Sequence, residues 1–312
     1  MNRIPTRQAL GDELLKLGRE NQAIFVIDCD VSKSCKTYPV SIELPNQHVN
    51  VGIAEQNAVG VAAGLATTGK IPFVVTYAVF GSMRALEQIR QEVCYPNLNV
   101  KILCSHGGLT PANDGGSHQC VEDMGIMRTI PNMTVIMPSD YNSARKLISK
   151  ASELDGPVYM RFTRDGIDEI YNQDAEFEIG KALKLIEGQD VTIIANGDTV
   201  GIAKKAARLL KQEGIDVRLL DMHTIKPIDR EAVELAVKET KYIVTVEDHN
   251  IINGLGSAVC EVVAEIGEGR VARVGVQDQF GESAPYERLL EKNMITVENI
   301  CQQVKTMIRN NE

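Results

Sequence analysis

The sequence predicts an α/β protein in which a parallel sheet carries helices on both faces and a second, smaller α/β domain follows. Short β-branched runs alternate with amphipathic stretches along nearly the whole chain, which is the pattern of strands joined by helical crossovers. An acidic stretch without apolar alternation, residues 165–187, interrupts the pattern near the middle. The 312 residues also exceed the usual size of one domain. We therefore expect two domains.

Strand and helix patterns alternate through the first half of the chain. An amphipathic helix over 6–21 precedes the apolar strand 24–28. A helix of small residues over 54–69 closes at a Gly–Lys turn before the β-branched strand 71–77. The remaining predicted elements are a helix over 83–94, strands over 100–105 and 133–140, a helix over 142–154 capped by Asp140, and a strand over 157–162.

The second half repeats the pattern on a smaller scale. Four strands are predicted over 190–196, 216–222, 241–247 and 270–276. Helices are expected to begin near Val200, Asp229 and Gly254, and a terminal helix follows Thr296. The predicted limits are 1–166 for the first domain, 167–188 for the linker and 189–312 for the second domain.

Composition excludes several classes of protein. The formal net charge is −9, which disfavours binding to a nucleic-acid backbone, and the 4% aromatic content without tryptophan argues against a base-stacking surface. No apolar run approaches the roughly 20 residues that span a bilayer. The opening MNRIPTRQAL lacks the basic-then-apolar layout of a secretory signal. We expect a cytoplasmic protein that binds neither nucleic acid nor membrane.

The cysteines predict neither disulfides nor a zinc site. There are seven, an odd number, with no CxxC pair, and several lie inside apolar stretches. We expect them to be reduced and buried.

Ligands of an open parallel sheet collect beyond the carboxyl ends of its strands, so the loops that follow strands are the first candidates for a site. The loop from Ser105 to Gln119 is rich in glycine and carries His106, Asp114 and His118. Glycine permits close approach to the backbone, and histidine titrates near neutral pH. The loop is either a site for a polar ligand or a surface loop with solvated histidines.

Three further side chains can each be interpreted in two ways from the sequence alone. Glu55 stands where a helix of small residues begins, so it is a helix-capping acid or a site carboxylate. Tyr77 and Phe80 follow a strand in a chain poor in aromatic residues, and core packing is the simpler interpretation of both.

A glycine run from Asn253 to Ala258 resembles the start of a dinucleotide-binding fingerprint. Its third glycine is absent and the loop before it is too long for the tight turn of that motif. A nicotinamide-dependent dehydrogenase is therefore a weak alternative.

Six segments, taken in order, resemble the C-terminal half of transketolase over essentially the whole chain. They are IAEQNAVGVAAGLA, TYAVF, NDGGSHQ, RFTR, DMHTIKPID and TVEDHN. The resemblance is greatest to the two-subunit bacterial form, in which the pyrimidine-binding domain and the transketolase C-terminal domain make one chain. It implies a thiamine-diphosphate enzyme that transfers a two-carbon ketol unit from a ketose phosphate to an aldose.

The resemblance also implies roles for residues near the cofactor. Glu55 matches a glutamate that hydrogen-bonds the aminopyrimidine ring, and sharing a proton with that ring prepares it for catalysis. Phe80 matches the aromatic residue that stacks on the pyrimidine, and Tyr77 one that lines its pocket. Asp30 resembles a cofactor-proximal acid, although a turn-forming aspartate is the simpler interpretation. A third pocket aromatic has no clear counterpart among residues 81–83.

Substrate-binding roles are implied in the same way. His118 matches a catalytic histidine that reaches towards the reacting substrate, and Asp114 an aspartate that hydrogen-bonds a sugar hydroxyl. The residues implied to lie near the sugar phosphate are His106, Arg164, Arg7 and Ser34. A guanidinium suits this task because it makes bidentate, charge-assisted bonds to phosphate. For Arg7 and Ser34, a surface helix position and a helix cap remain equally good interpretations.

One part of the family's site is missing from this sequence. Enzymes of this kind hold the diphosphate through a divalent metal bound by a GDG motif and a later asparagine, and no GDG occurs here. The resemblance therefore implies an N-terminal partner subunit that supplies Mg²⁺ or Ca²⁺ and the diphosphate site, with no metal bound by this chain. An α2β2 assembly is the natural expectation.

Four alternatives stay open at this point. The β subunit of a 2-oxo acid dehydrogenase and a 1-deoxyxylulose-5-phosphate synthase share much of the pattern. A non-catalytic binding or regulatory subunit and the nicotinamide-dependent dehydrogenase belong to other classes.

Overall fold

The computed structural model describes residues 3–309, and these form two α/β domains, as predicted. The outermost predicted limits, 1 and 312, lie outside the described residues. The strands are β1 (Arg3–Ile4), β2 (Ile24–Asp28), β3 (His48–Asn50), β4 (Ile71–Tyr77), β5 (Lys101–Ser105), β6 (Thr134–Ile136), β7 (Val158–Arg161), β8 (Ile167–Asp168), β9 (Leu183–Ile186), β10 (Val191–Ala195), β11 (Val217–Asp221), β12 (Thr224–Lys226), β13 (Tyr242–Asn250) and β14 (Arg270–Val276). The α-helices are α1 (Thr6–Glu20), α2 (Ser32–Cys35), α3 (Tyr38–Glu43), α4 (Glu55–Thr67), α5 (Leu86–Gln88), α6 (Asp123–Thr129), α7 (Tyr141–Glu153), α8 (Thr199–Gln212), α9 (Arg230–Thr240), α10 (Leu255–Ile266), α11 (Tyr286–Lys292) and α12 (Val297–Arg309).

The first sheet has the order β3-β2-β4-β5-β7-β6-β12. All neighbouring strands are parallel except β12, which runs antiparallel to β6. The strands of this sheet are apolar on both faces because helices cover both. One apolar core lies against α1 and α7, and another lies against α4. The prediction of a parallel sheet with helices on both faces is confirmed.

The predicted cap at Asp140 is confirmed in detail. Asp140 Oδ1 accepts a hydrogen bond from the backbone N–H of Ser143 at 2.7 Å, and the Ser143 hydroxyl oxygen accepts one from the Asp140 N–H at 2.9 Å. This capping box satisfies two backbone donors that helix α7 would otherwise leave unpaired.

The segment predicted as one helix over 83–94 is irregular. Phe80–Arg84 and Ile89–Cys94 are π-helical, and only the short helix α5 between them is α-helical. The backbone N–H of Ala85 bonds to the carbonyl of Phe80, five residues earlier. An amphipathic pattern predicts a helix here, but it does not distinguish this wider turn from an α-helical one.

The second sheet has the order β9-β11-β10-β13-β14, with β9 antiparallel to β11 and the other pairs parallel. Its four parallel strands are those that the sequence predicts. The segment proposed as a linker, 167–188, contains β8, which pairs with β1, and β9, which forms the edge of the second sheet. The domain limits themselves stay a prediction.

Two of the segments that resemble transketolase join the domains. Within DMHTIKPID, strand β12 leaves the second domain and extends the first sheet beside β6. Within TVEDHN, Asp248 accepts hydrogen bonds from the backbone N–H of Leu109, and His249 Nε2 accepts one from the N–H of Gly125. These residues tie the second domain to loops of the first, so their structural role is to fix the two domains against each other.

A buried arginine lies at the centre of this domain contact. Arg161, at the end of β7, is 1% exposed and its Nη1 lies 3.1 Å from Asp123 Oδ1. Its Nη2 donates to the carbonyl oxygen of Asp248. Burial lowers the pKa of the Arg161 guanidinium, but Asp123 and Asp248 outweigh that effect and the pKa is raised. The guanidinium is therefore charged and shared between the domains.

All seven cysteines are free in the described part of the chain, and all but the partly exposed Cys260 are buried, close to the prediction. Burial raises the pKa of the thiols, for example that of Cys35 to about 12. Within residues 3–309, no helix combines the length and apolar composition needed to cross a bilayer.

Candidate active site

Most of the predicted site residues lie together beyond the carboxyl ends of strands β2, β4, β5 and β7. Tyr77 is the last residue of β4, His106 directly follows β5, and Arg164 lies three residues after β7. Ser34 belongs to α2, in the connection that follows β2. Because these parallel strands are neighbours, their ends meet at one edge of the sheet, where ligands of such sheets bind.

Glu55 is a buried carboxylate held by another side chain. It is the first residue of α4 and only 2% exposed. Its Oε2 accepts a hydrogen bond from Arg84 Nη1 at 2.8 Å. The N-cap of α4 is Ala54, which makes no side-chain capping bond. Glu55 thus lies in the first turn of α4, where the helix dipole favours an acid, and its buried carboxylate is also paired with Arg84. A role as a site carboxylate stays a prediction.

Tyr77 and Phe80 both expose part of their rings, although Tyr77 also packs against the apolar core beside α1 and α7. Both are only partly buried, and their rings are stacked with centroids 6.0 Å apart. The His118 ring meets Phe80 edge-on at 5.7 Å, and the His106 ring lies 3.9 Å from that of Tyr77. These four rings form a continuous aromatic strip along the edge of the sheet.

Arg7 and Ser34 extend this strip to one side. The Tyr77 hydroxyl donates to Ser34 Oγ at 2.9 Å, and Arg7 Nη1 donates to the Ser34 carbonyl at 3.0 Å. Arg7 Nε is buried and has no hydrogen-bond partner among residues 3–309. Burial, followed by the charge of Arg164, lowers the pKa of the Arg7 guanidinium. Two arginines this close, one with an unused donor, suit an anion that would neutralise them.

His106 is a neutral imidazole in this surrounding. It is 2% exposed, and its Nδ1 lies 2.7 Å from Ser105 Oγ. Burial, then Arg7 and Arg164, lowers the pKa of His106 to about 3. At neutral pH the side chain therefore offers one hydrogen-bond donor and one acceptor without adding charge.

The loop that follows β5 is fixed by contacts with both domains. Arg164 Nε lies 3.5 Å from Asp114 Oδ2, and the hydroxyl of Ser283 in the second domain donates to the Asn113 carbonyl at 2.7 Å. Gln119 Nε2 donates to the Glu282 carbonyl at 2.8 Å. The histidines of this loop face aromatic rings, so the interpretation as a solvated surface loop is not supported.

Asp30 is the predicted residue that stands apart. It is exposed, has a left-handed backbone with φ of 64°, and its carboxylate accepts a hydrogen bond from Asn50 Nδ2 at 3.2 Å. No contact found among residues 3–309 joins it to Glu55 or Phe80. This geometry is typical of a turn-forming aspartate, and a role near a cofactor stays a prediction.

Arg84 belongs to the site although the sequence did not single it out. Besides its bond to Glu55, its guanidinium carbon lies 4.5 Å from the centroid of the Phe80 ring. Its spacing of four residues from Phe80 would place the two side chains on one face of a helix, but the sequence predicted a helix only from residue 83.

The glycine run at 253–258 does not provide an open phosphate site. The backbone N–H groups of Leu255 and Gly256, at the start of α10, donate to the buried carboxylate of Glu247 at 2.7 and 2.8 Å. Burial raises the pKa of Glu247 to about 7. These are the amides that a dinucleotide phosphate would need, so the structure argues against the dehydrogenase alternative.

Comparisons with protein families match both halves of the chain. The pyrimidine-binding domain of transketolase matches residues 2–168, and the transketolase C-terminal domain matches residues 180–300.

Similar proteins align along nearly their whole length. A transketolase C-terminal section from Methanocaldococcus jannaschii is 45% identical over 301 residues, which cover 96% of this chain and 94% of that protein. A 6-deoxy-6-sulfo-D-fructose transketolase subunit from a Clostridium species is 40% identical and covers 94% and 91%. Among solved structures, a split-gene transketolase determined as an inactive β4 tetramer is 46% identical, covers 99% of both chains and superposes with a TM-score of 0.91.

Proposed function

This chain belongs to the transketolase family, and we propose that it is the C-terminal subunit of a two-chain, thiamine-diphosphate-dependent transketolase. The observation that carries the proposal is what lies at the two ends of the aromatic strip. The buried carboxylate of Glu55 lies at the Phe80 end, and the two cations Arg7 and Arg164 lie at the other. The reaction we propose is transfer of a two-carbon ketol unit from a ketose phosphate to an aldose.

The residues at the Glu55 end fit the pyrimidine ring of the cofactor. Arg84, a flat cation with N–H donors, already contacts both the Glu55 carboxylate and the Phe80 ring, which demonstrates that one planar group can reach the two together. We assign the same contacts to the pyrimidine, with Tyr77 beside it. When bound, thiamine diphosphate supplies the electron sink for the carbon–carbon bond that is broken and remade. The buried Glu55 carboxylate would hold a proton against the ring.

The other end of the strip fits an anionic sugar. Arg7 and Arg164 can donate paired hydrogen bonds to a phosphate. Ser34 and the neutral His106 add hydrogen-bond donors that carry no charge. His118 lies between this end and Phe80, so we assign it to the reacting carbon, and Asp114 to a sugar hydroxyl. A sulfonate presents three terminal oxygens, as a phosphate monoester does, although it carries one negative charge rather than up to two, and the Clostridium relative is named for a sulfonated ketose. The substrate we propose is therefore a ketose with a terminal phosphate or sulfonate.

A partner subunit completes the site in this proposal. In the described part of the chain, no group of three or more His, Cys, Asp or Glu side chains is arranged to hold a metal ion. We propose that an N-terminal transketolase subunit supplies the metal, as Mg²⁺ or Ca²⁺, and the diphosphate site. The inactive β4 assembly of the split-gene relative supports the need for such a partner. An α2β2 complex would bring two of each chain together.

Calorimetric titration of thiamine diphosphate with Mg²⁺ tests whether the two subunits together form the cofactor site. The cofactor is titrated into the chain alone, into the N-terminal subunit alone, and into their mixture. We expect tight binding only in the mixture, because each chain holds one end of the cofactor. Tight binding by this chain alone would contradict the half-site, and no binding in the mixture would contradict the cofactor assignment.

Replacing Arg164 should weaken binding of charged sugars. In the reconstituted complex we expect Arg164→Ala to raise the KM for a ketose phosphate about ten- to a hundredfold while kcat changes little, since a charge-assisted hydrogen bond contributes about 1.5–3 kcal/mol. An unphosphorylated ketose provides the control, because its KM should not respond to the substitution. Equal effects on both substrates would remove Arg164 from the phosphate site.

A further inference from the structure

Arg84 makes the two contacts that the proposed function assigns to the cofactor. Its Nη1 donates to Glu55 Oε2 at 2.8 Å, and its guanidinium carbon lies 4.5 Å from the Phe80 ring centroid. We propose that Arg84 is a placeholder: it occupies the carboxylate and the aromatic face in the cofactor-free chain, and the pyrimidine ring displaces it. This inference rests on the proposed function.

The chemistry of the guanidinium explains how it can stand in for the ring. It is planar and delocalised, it donates hydrogen bonds from its edge, and it stacks on aromatic faces. The pyrimidine of the cofactor is likewise flat and presents nitrogen donors at its edge. A lysine could satisfy the charge of Glu55, but it could not stack and donate as one plane.

The difference in burial between Glu55 and Arg84 indicates which of the two side chains moves when the pyrimidine ring binds. The Glu55 side chain is 3% exposed, whereas that of Arg84 is 47% exposed. A buried carboxylate without a partner is costly, so Glu55 must be paired both before and after the cofactor arrives. Arg84 is already partly exposed and can instead turn into solvent, where water hydrates the guanidinium. Glu55 is thus the fixed member of the pair, and Arg84 is the one that leaves.

The local backbone places Arg84 for this role. Phe80–Arg84 is a π-helical turn, closed by the hydrogen bond from the Ala85 N–H to the Phe80 carbonyl. Such single wide turns interrupt regular helices and are frequent at functional sites. Here the turn directs the guanidinium over the ring that lies four residues before it.

A placeholder has a measurable consequence for affinity. The cofactor must break the Arg84 contacts before it can form its own, so its apparent affinity is lowered by the fraction of chains in which Arg84 is released. Removing the guanidinium should therefore tighten cofactor binding. An arginine that supports the bound ring would have the opposite effect.

The test uses the complex reconstituted with the N-terminal subunit and measures the Kd of thiamine diphosphate at saturating Mg²⁺ by calorimetry. We expect Arg84→Met to lower the Kd about tenfold, given the usual strength of one ion pair with cation–π stacking. Arg84→Lys should lie between Arg84→Met and the wild type. The exposed Arg90, on the next turn, supplies the control Arg90→Met, for which the Kd should not change.

A second measurement separates a placeholder from a purely structural arginine. Arg84→Met should lower the Tm of the cofactor-free chain, because Glu55 loses its partner, and the difference from wild type should vanish in the cofactor-saturated complex. An unchanged or weaker Kd in Arg84→Met would overturn the inference while the proposed function stands. Failure of the wild-type complex to bind the cofactor would instead overturn both.

Discussion

Replacing Glu55 by glutamine is expected to lower kcat of the reconstituted complex by about two to four orders of magnitude. A positioned acid or base contributes this much to proton transfer. Glutamine keeps the shape of the side chain but cannot hold a proton against the pyrimidine ring. Its partner Arg84 is 47% exposed and can reach water, so the loss of charge should leave the fold intact.

Steady-state ketol transfer and thermal unfolding of the same preparations provide the check. The exposed Glu87, on the neighbouring helix α5, gives a matched control, and Glu87→Gln should retain wild-type turnover. We also expect Glu55→Ala to be at least as impaired as Glu55→Gln, with a Tm close to wild type. Near-normal turnover in either Glu55 variant would refute the assignment of this carboxylate.

The substitution with the largest expected effect on stability is Arg161→Met. Arg161 is 1% exposed and pairs with Asp123 at 3.1 Å, while Tyr159 donates to the other oxygen of that carboxylate at 2.7 Å. Asp248, across the domain contact, is also buried, and burial followed by the charge of Asp198 raises its pKa. Without the guanidinium these carboxylates lose the positive charge that they share. Breaking a buried ion pair in this way costs about 3–5 kcal/mol.

Denaturant unfolding of the purified chain measures this loss as a change in the free energy of unfolding. The control is Arg230→Met, which removes an exposed arginine that bonds to Glu234 at 2.7 Å and should have little effect, because exposed pairs contribute little. The double variant Arg161→Met with Asp123→Asn should recover part of the stability by removing one stranded charge. If Arg161→Met unfolds like the control, the buried cluster does not hold the domains together.

The same substitution should also disturb the site. A side-chain carbon on Gly107 would lie 2.3 Å from Arg161 Cγ, so the start of the loop after β5 packs directly on the arginine. His106 adjoins that glycine, and its backbone is left-handed, with φ of 64°. The loop is therefore shaped by a residue that makes no contact with Tyr77 or Phe80 among those found in residues 3–309.

Sequence periodicity predicted the long helices and the central strands, but it missed several short elements and the π-helical turns. Strands β2, β4, β5 and β7 have apolar patterns that require burial on both faces, and the structure confirms them. Helix α6 and strand β12 were not predicted, because each is short and takes its stability from packing against the other domain or sheet rather than from its own pattern.

The motifs identified the family and most of the candidate site, but they did not predict which segments form the contact between the two domains. TVEDHN and DMHTIKPID contributed to the resemblance, and the structure shows that both lie at the domain contact. Arg161 is marked in the sequence as a charged residue at the end of an otherwise apolar strand, and such a residue must find a buried partner.

The sequence by itself determined the α/β class, the two-domain order, the family, and the segments of the chain in which Glu55, Phe80, His118 and Arg164 lie. These features follow from local patterns and from the order of short motifs along the chain. Only the tertiary structure decided that Arg84 donates a hydrogen bond to the Glu55 carboxylate and that the Arg161 guanidinium bonds to residues of both domains. Both pairings join residues far apart in sequence, and which buried charge meets which partner is settled by packing rather than by periodicity.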